Sequence, residues 1–332
     1  MTLERRHFMP GSREPSHLKP AVISRGVRVY ALGGPAQLAE FVLSLLELEG
    51  SARQVGADPA RLGDFVRAIA ERYRPNPYHN LQHAADVTNT MAWLLTRPTF
   101  HSHLPPNLRF WLLIGAIVHD VDHPGHNNQW EMYVRSSRAE RYHNHSVLEN
   151  HSLALARELL ARPALRFQAT MDPADVAQGE RILEQVVLAT DFAFHKPFME
   201  HFGRLVAAAG RPVDFAPPDF LLEVGKALLK AADIANTTKP FPQAKLWGLR
   251  VMQEFWAQGR MEKQGDFPVG PLNDEDRVDL NLAQAGFIRF AALDLFQLLA
   301  QLEPELEPLV ETLRENIRQY QRAARCQPDS VE

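Results

Sequence analysis

Residues 111–125 read Trp111-Leu112-Leu113-Ile114-Gly115-Ala116-Ile117-Val118-His119-Asp120-Val121-Asp122-His123-Pro124-Gly125. From Trp111 to Val118 there is no polar break, so a helix built on this run has no face to offer water and belongs inside a helical protein. Pro124 and Gly125 mark its stop. The run delivers an imidazole and a carboxylate side by side at its end. A buried carboxylate is costly without a cation or hydrogen-bond donors, so His119-Asp120 reads as a metal corner, with a capping Asp as the plainer alternative. His123 serves as readily as hydrogen-bonding support as it would as a ligand.

Outward from this run, apolar residues recur at spacings of three and four, and prolines sit where segments begin or end. Helices are expected over 35–48, 58–73, 80–95, 106–118, 146–160, 173–190, 197–209, 218–235, 242–258, 275–302 and 304–325. Only 27–32 alternates like a strand. The pattern is all-α, without βαβ alternation or a repeat of fixed period. No Gly/Ser-rich linker divides it, so a single compact multi-helix domain is expected over 26–326, with a loose N-terminal arm at 1–25 and a C-terminal tail at 327–332. The longest structureless interior stretch expected is 259–274, GRMEKQGDFPVGPLND, a length typical of functional borders.

Composition narrows the function classes. The chain has 332 residues, 45% hydrophobic and 23% charged, which excludes a disordered or low-complexity chain. Lys and Arg total 36 against 40 Asp and Glu, a net charge of -4 without a basic block, so no nucleic-acid partner is expected. The apolar run above is far short of the roughly 20 residues of a membrane-spanning helix, so no membrane partner is expected. The opening MTLERRHFMPGSREP lacks the apolar core of a secretory signal, which makes the cytoplasm the expected location. The lone Cys326 can form neither an internal disulfide nor a thiolate cluster. Histidine is the anomaly: 12 of the 14 fall between His79 and His201.

Two further stretches gather around the metal corner. In Tyr78-His79-Asn80-Leu81-Gln82-His83-Ala84-Ala85-Asp86-Val87 the two histidines are four apart and share a helix face. They can hold one metal, or divide labour between metal and substrate; alone, such a pair is equally two satisfied core or surface histidines. Asp86 by itself reads as a solvated helix position. In LLKAADIAN, Asp233 continues the stripe Leu222, Leu229, Ala232 and puts a carboxylate on a core-facing surface; alone it reads as a cap or buried ion-pair partner. Together, His83, His119, Asp120 and Asp233 supply two imidazoles and two carboxylates.

That order on helices resembles the HD superfamily of metal-dependent phosphohydrolases. The strings YHNLQHAADV, HDVDHPGHNN, SVLENH, VLATDF, ADIANTTKP and LAQAGFI resemble, in order and spacing, the catalytic domain of class I 3′,5′-cyclic nucleotide phosphodiesterases, over about Val27 to Arg325. The resemblance implies two divalent metal ions. His83, His119, Asp120 and Asp233 would hold the tighter one, usually Zn²⁺, and Asp120 would bridge to a second, Mg²⁺ or Mn²⁺, held mainly through water. The donor types agree with those ions. It further implies a metal-bridging hydroxide as nucleophile and His79 as the general acid for the leaving 3′ oxygen. His123, Asn128, Glu149, Thr190 and Asp191 would orient ligands or metal-bound water, and Glu254 would orient the acid. Gln284 and Phe287 would read and stack the purine, with Val251 opposite and Tyr78 and Asn236 bordering the pocket. His143, His145, His151 and His195 read as solvated or supporting residues.

This sequence departs from the family at Trp130, where Phe is common, at His126 after Gly125, and at Gly248, where bulkier residues are familiar and a wider base site is implied. The expected activity is metal-dependent hydrolysis of cAMP or cGMP, or both, to the 5′-monophosphate, with a small-molecule substrate as partner and a homodimer left open. Two alternatives stand beside it: a related HD-type metallohydrolase acting on another phosphodiester or phosphomonoester, and a non-catalytic nucleotide-binding scaffold. Gln284 and Phe287 separate the first alternative from the main reading. A missing ligand or acid would mark the second, and none is missing.

Overall fold

The computed structural model describes residues 23–210 and 212–325, and within them the chain is helical, with no β-strand. The Pro106–Val118 helix lies at the centre, buried from Asn107 to Val118. It packs against the Leu81–Leu95, Pro173–Leu188 and Pro218–Asp233 helices. Burying one large apolar side chain contributes about 1.5–3 kcal/mol, so this helix is a major store of cohesion. It also sets the geometry of the site. The start of Leu81–Leu95 and the ends of Pro106–Val118 and Pro218–Asp233 converge, bringing together His83, His119-Asp120 and Asp233. Two helix C-termini at one point add partial negative charge, which favours a cation.

Local chemistry explains why those ends fall where they do. Asn80 caps the Leu81–Leu95 helix, accepting from Gln82 N at 2.8 Å and His83 N at 3.1 Å. After His119 the chain turns through Asp122 at φ 61° and Gly125 at φ 83°. Asn76 ties this turn to the first motif, donating to His79 O at 2.8 Å and His123 O at 2.7 Å.

The structure corrects several expectations. The alternating 27–32 stretch is not a strand; it contains a 3₁₀ turn at Val29–Ala31, because no described strand lies beside it to pair with. Ser24 and Arg25, assigned to the loose arm, are held down: Asn89 donates to Ser24 O at 3.0 Å, and Arg25 bonds Thr238 and lies 5.0 Å from the Trp93 ring centroid. The rest of the arm, residues 1–22, the tail 327–332 and Cys326 lie outside the described residues. The 242–258 helix runs on to Gln264, through Gly259, where a Cβ would stand 1.9 Å from Asn273 O of the returning segment. Glycine there permits that close approach and does not end the helix. Buried Glu262 then pins the segment, accepting from Gly270 N at 2.9 Å, Gln258 Nε2 at 2.7 Å and Asn273 Nδ2 at 3.0 Å.

Asp86 is not solvated: it is buried and paired with Lys239 at 2.8 Å, bracing the turn that follows Asp233. The expected 275–302 helix starts at Leu280 under an Asp279 cap and continues through a π-helical stretch, Ile288–Leu293, into Asp294–Leu302. Among the described residues, Leu280–Leu302 is the one helix long and apolar enough, by length and composition, to cross a membrane. Its stripe of Ala285, Ile288, Ala292, Leu295, Phe296 and Leu299 is buried in the body.

Candidate active site

Four ligand atoms of His83, His119, Asp120 and Asp233 lie within 4.8 Å of one another. His83 Nε2 is 3.0 Å from Asp233 Oδ1 and 3.4 Å from Asp120 Oδ2, while His119 Nε2 is 3.5 Å from Asp233 Oδ1 and 3.1 Å from Asp120 Oδ2. Donors held about 2.0–2.2 Å from a tetrahedral ion stand about 3.3–3.6 Å apart, so the cluster has the size of such a shell. His119 Nε2 is buried without a hydrogen-bond partner, as a ligand atom awaiting a cation would be. Its other nitrogen lies 3.1 Å from Ala116 O, which orients the ring. Burial penalises every charge in the cluster, yet the carboxylates raise both imidazoles and the imidazoles lower both carboxylates. The residues present fit a divalent cation, whose binding would displace the imidazole protons.

His79 stands beside this cluster, its ring 5.9 Å from that of His83. Glu254, from the Phe241–Gln264 helix, meets it at 2.5 Å between Oε2 and Nδ1, and accepts from Tyr78 N at 2.6 Å and His79 N at 2.8 Å through Oε1. Burial opposes charge on His79, but the adjacent carboxylate overcomes it and lifts the imidazole to about 9. His123 stacks on His79 at 3.9 Å with 27° between planes. Burial, reinforced by that neighbouring positive charge, pushes His123 down to about 3, so one ring of the stack carries the proton and the other stays neutral.

The remaining polar candidates bond among themselves and to neighbouring backbone. Asn128 donates to Glu149 at 3.0 Å and accepts from Leu148 N at 2.9 Å, locking the start of the Val147–Leu160 helix. Asp191 accepts from Ser146 Oγ and Ala193 N, both at 2.9 Å, and Thr190 donates to Val187 O at 2.7 Å. Burial and the Asp191 charge raise Glu149 to about 7. Buried Lys230 donates to Ala189 O at 2.5 Å, and burial lowers it to about 8. His126 is engaged by Glu131 at 2.7 Å rather than by the metal cluster, and the Trp130 ring packs on Phe267 at 5.6 Å.

The other end is apolar. Asn236 donates to the Tyr78 hydroxyl at 2.7 Å, and the Tyr78 ring lies 4.5 Å from His83 and 5.7 Å from Trp247. Gln284 is buried and Phe287 partly buried on the Leu280–Phe287 helix, with the Phe192 ring 5.6 Å from Phe287. Val251, also partly buried, lies on the helix that carries Glu254. Gly248 does not widen this end as expected. The Gln284 amide and the Tyr320 hydroxyl occupy the place of its side chain.

Sequence reading passed over Asn76, Phe192, Trp247 and Tyr320. Phe192 closes the VLATDF string and Asn76 sits three residues before His79, so motif reading could have reached both. Trp247 and Tyr320 carry no pattern that separates them from ordinary core aromatics.

Residues 78–313 match the 3′5′-cyclic nucleotide phosphodiesterase family. The chain is 32% identical over 256 residues, 76% of its length and 47% of the relative's, to the high affinity cGMP-specific 3′,5′-cyclic phosphodiesterase 9A of Mus musculus. It is 32% identical over 249 residues, 74% of its length and 38% of the relative's, to isoform F of the 3′,5′-cyclic-AMP phosphodiesterase of Drosophila melanogaster. It thus spans about half or less of the curated relatives it matches. The solved phosphodiesterase domain of Salpingoeca rosetta rhodopsin phosphodiesterase superposes with a TM-score of 0.86 at 26% identity, covering 95% of each chain. With the His/Asp corner, the acid beside it and a family match over most of its length, the chain belongs to the 3′,5′-cyclic nucleotide phosphodiesterase family.

Proposed function

We propose that this chain hydrolyses the 3′ phosphoester bond of 3′,5′-cyclic nucleotides, cAMP, cGMP or both, to the 5′-monophosphates. The observation that carries this reading is the pairing of the four-donor corner with His79 alongside it, held by Glu254. Cations held by His83, His119, Asp120 and Asp233, with a second bridged by Asp120, would supply Lewis-acid activation of phosphate and water. Zn²⁺ suits the nitrogen-and-carboxylate corner, and Mg²⁺ or Mn²⁺ suits an oxygen-rich neighbour site.

The chain's own residues handle the leaving group. With Nδ1 of His79 engaged by Glu254, Nε2 is the atom free to hand a proton to the departing 3′ oxygen. Its raised pKa keeps that proton in place at neutral pH. The largest upward contribution comes from Glu254 rather than from Asp120 and Asp233. Asn76 holds the backbones of His79 and His123 in register, and Asn128, Glu149, Thr190 and Asp191 would orient ligands or metal-bound water. Gln284 and Phe287 would take the purine, the amide by hydrogen bonds and the ring by stacking. Relatives named for cGMP and for cAMP both match, which supports a reading that covers both.

The test is product analysis of the purified protein with cAMP and cGMP at matched concentrations, before and after chelation and with Mn²⁺ or Mg²⁺ restored. Metal-dependent 5′-monophosphate is expected. Turnover that survives chelation, or no turnover of either nucleotide, overturns the reading.

A further inference from the structure

Gln258 and Glu262 lie one turn apart near the end of the Phe241–Gln264 helix, each only 1% exposed. A buried amide needs partners on both its oxygen and its nitrogen, and Gln258 has them. Its Oε1 accepts from Asn127 N at 2.9 Å, while Nε2 donates to Asn127 Oδ1 at 2.9 Å and to Glu262 Oε1 at 2.7 Å. A backbone N–H only donates, so the amide oxygen must face Asn127 N and the orientation of the group is settled.

Four residues before Gln258, on the same helix face, Glu254 grips His79 Nδ1 at 2.5 Å and the backbone N–H groups of Tyr78 and His79. Asn127 stands two residues after Gly125, just past the turn that carries His123. His123 in turn stacks on His79 at 3.9 Å, and Asn76 joins the same two segments by donating to His79 O and His123 O. The helix is thus pinned to one motif through Glu254 and to the other through Gln258, and the ring of contacts closes at the His79–His123 stack. Working groups must be held to within about 0.5 Å of their productive geometry. Without the Gln258 clasp, the helix face that carries Glu254 loses its anchor to the neighbouring segment.

We propose that Gln258 is a positioning residue for proton donation: by clasping Asn127 it fixes the helix from which Glu254 holds His79, so that Nε2 of His79 faces the leaving oxygen. The inference rests on the reading of His79 as the general acid. It also ties the 265–273 segment to that acid, because Glu262 passes the contact on to Gly270 N and Asn273 Nδ2.

The experiment compares wild type, Gln258→Met and His79→Gln on cAMP, cGMP and bis(p-nitrophenyl) phosphate, an artificial diester whose p-nitrophenolate leaves without a proton. Gln258→Met keeps the bulk and removes the bonds, so kcat on the cyclic nucleotides should fall about tenfold while KM stays within about twofold. Turnover of the artificial diester should change less than about twofold, since only the proton-dependent departure is affected. In a Glu254→Gln background, Gln258→Met should add less than about twofold, because its effect passes through Glu254. Proton NMR gives a reading free of turnover: the far-downfield resonance of the short His79 Nδ1–Glu254 bond should shift or vanish in Gln258→Met. Should that variant fail to fold, Asn127→Ala, which removes one partner from the far side, should show the same selective loss. Equal loss on the artificial diester, additive effects in the Glu254→Gln background, or an unmoved resonance each overturn the inference. A His79→Gln variant that loses as much on the artificial diester as on the cyclic nucleotides overturns instead the reading of the acid on which it rests.

Discussion

The two ends of the site are built on opposite principles. At the metal end, the imidazoles of His83 and His119 stand 3.0–3.5 Å from the carboxylates of Asp120 and Asp233, and Glu254 pairs with His79. At the base end proposed above, Gln284 is buried on the helix that carries Phe287, and the Phe192 ring lies 5.6 Å from that of Phe287. The first end is preorganised by mutual charge, so a single removal leaves a buried partner uncompensated. The second is preorganised by shape, so a removal costs binding and leaves the reaction machinery in place. Reaction and recognition should then be separable, and loss of either end should show in different kinetic constants.

The comparison breaks most sharply at the metal corner. His83→Ala or Asp233→Ala should lose bound metal, read by elemental analysis. Turnover of cyclic nucleotide and of bis(p-nitrophenyl) phosphate should fall alike by about a thousandfold, the scale of removing a preorganised charge at a charged transition state. A variant that keeps metal and turnover would break the assignment.

His79→Gln should lower kcat on cyclic nucleotides by about 10²–10⁴, the usual worth of a general acid. The loss on bis(p-nitrophenyl) phosphate should be much smaller, because p-nitrophenolate leaves without protonation. Equal losses on both substrates would argue that His79 does something other than donate a proton.

Glu254→Gln sharpens the same end through pH. His79, lifted to about 9, is in its acid form below that pH and loses it above, so wild-type kcat/KM should fall as pH rises through about 9. Without the Glu254 charge burial dominates, and the alkaline limb should move to lower pH, with a loss of about 10–100-fold at neutral pH. An unmoved limb would detach Glu254 from the acid.

The smallest effect is expected at the base end. Phe287→Ala should raise KM for cyclic nucleotides by about tenfold, since base-aromatic stacking is worth about 1–3 kcal/mol, while kcat on the artificial diester stays near wild type. A fall in kcat on both substrates would show that the two ends are not separable.

Much of the metal end is legible in sequence, because its residue types are improbable where they stand. A His-Asp pair at the end of an unbroken apolar run, and an Asp on an apolar stripe, each conflict with burial unless something compensates them. Glu254 was placed by the family resemblance and could not have been found by pattern, since a lone Glu on a helix looks solvated. Asp86 shows the converse failure: a single carboxylate on a helix reads as exposed, and its partner Lys239 is more than 150 residues away. Gly259 misled for a related reason. Glycine within a helix reads as a stop unless the segment packed against it is known.

What the sequence determined by itself was the helical class, from apolar periodicity, and the reacting groups, from charged residues on apolar faces and motifs in their order. What only the tertiary structure decided was which groups satisfy each other and which do not: the 2.5 Å contact that charges His79, the orphaned nitrogen of His119, and the buried Gln258 amide that joins Asn127 to Glu262. Periodicity and residue type act over one or two helical turns and are written locally. Pairing and close approach join residues scores of positions apart, and they exist only once the helices are packed.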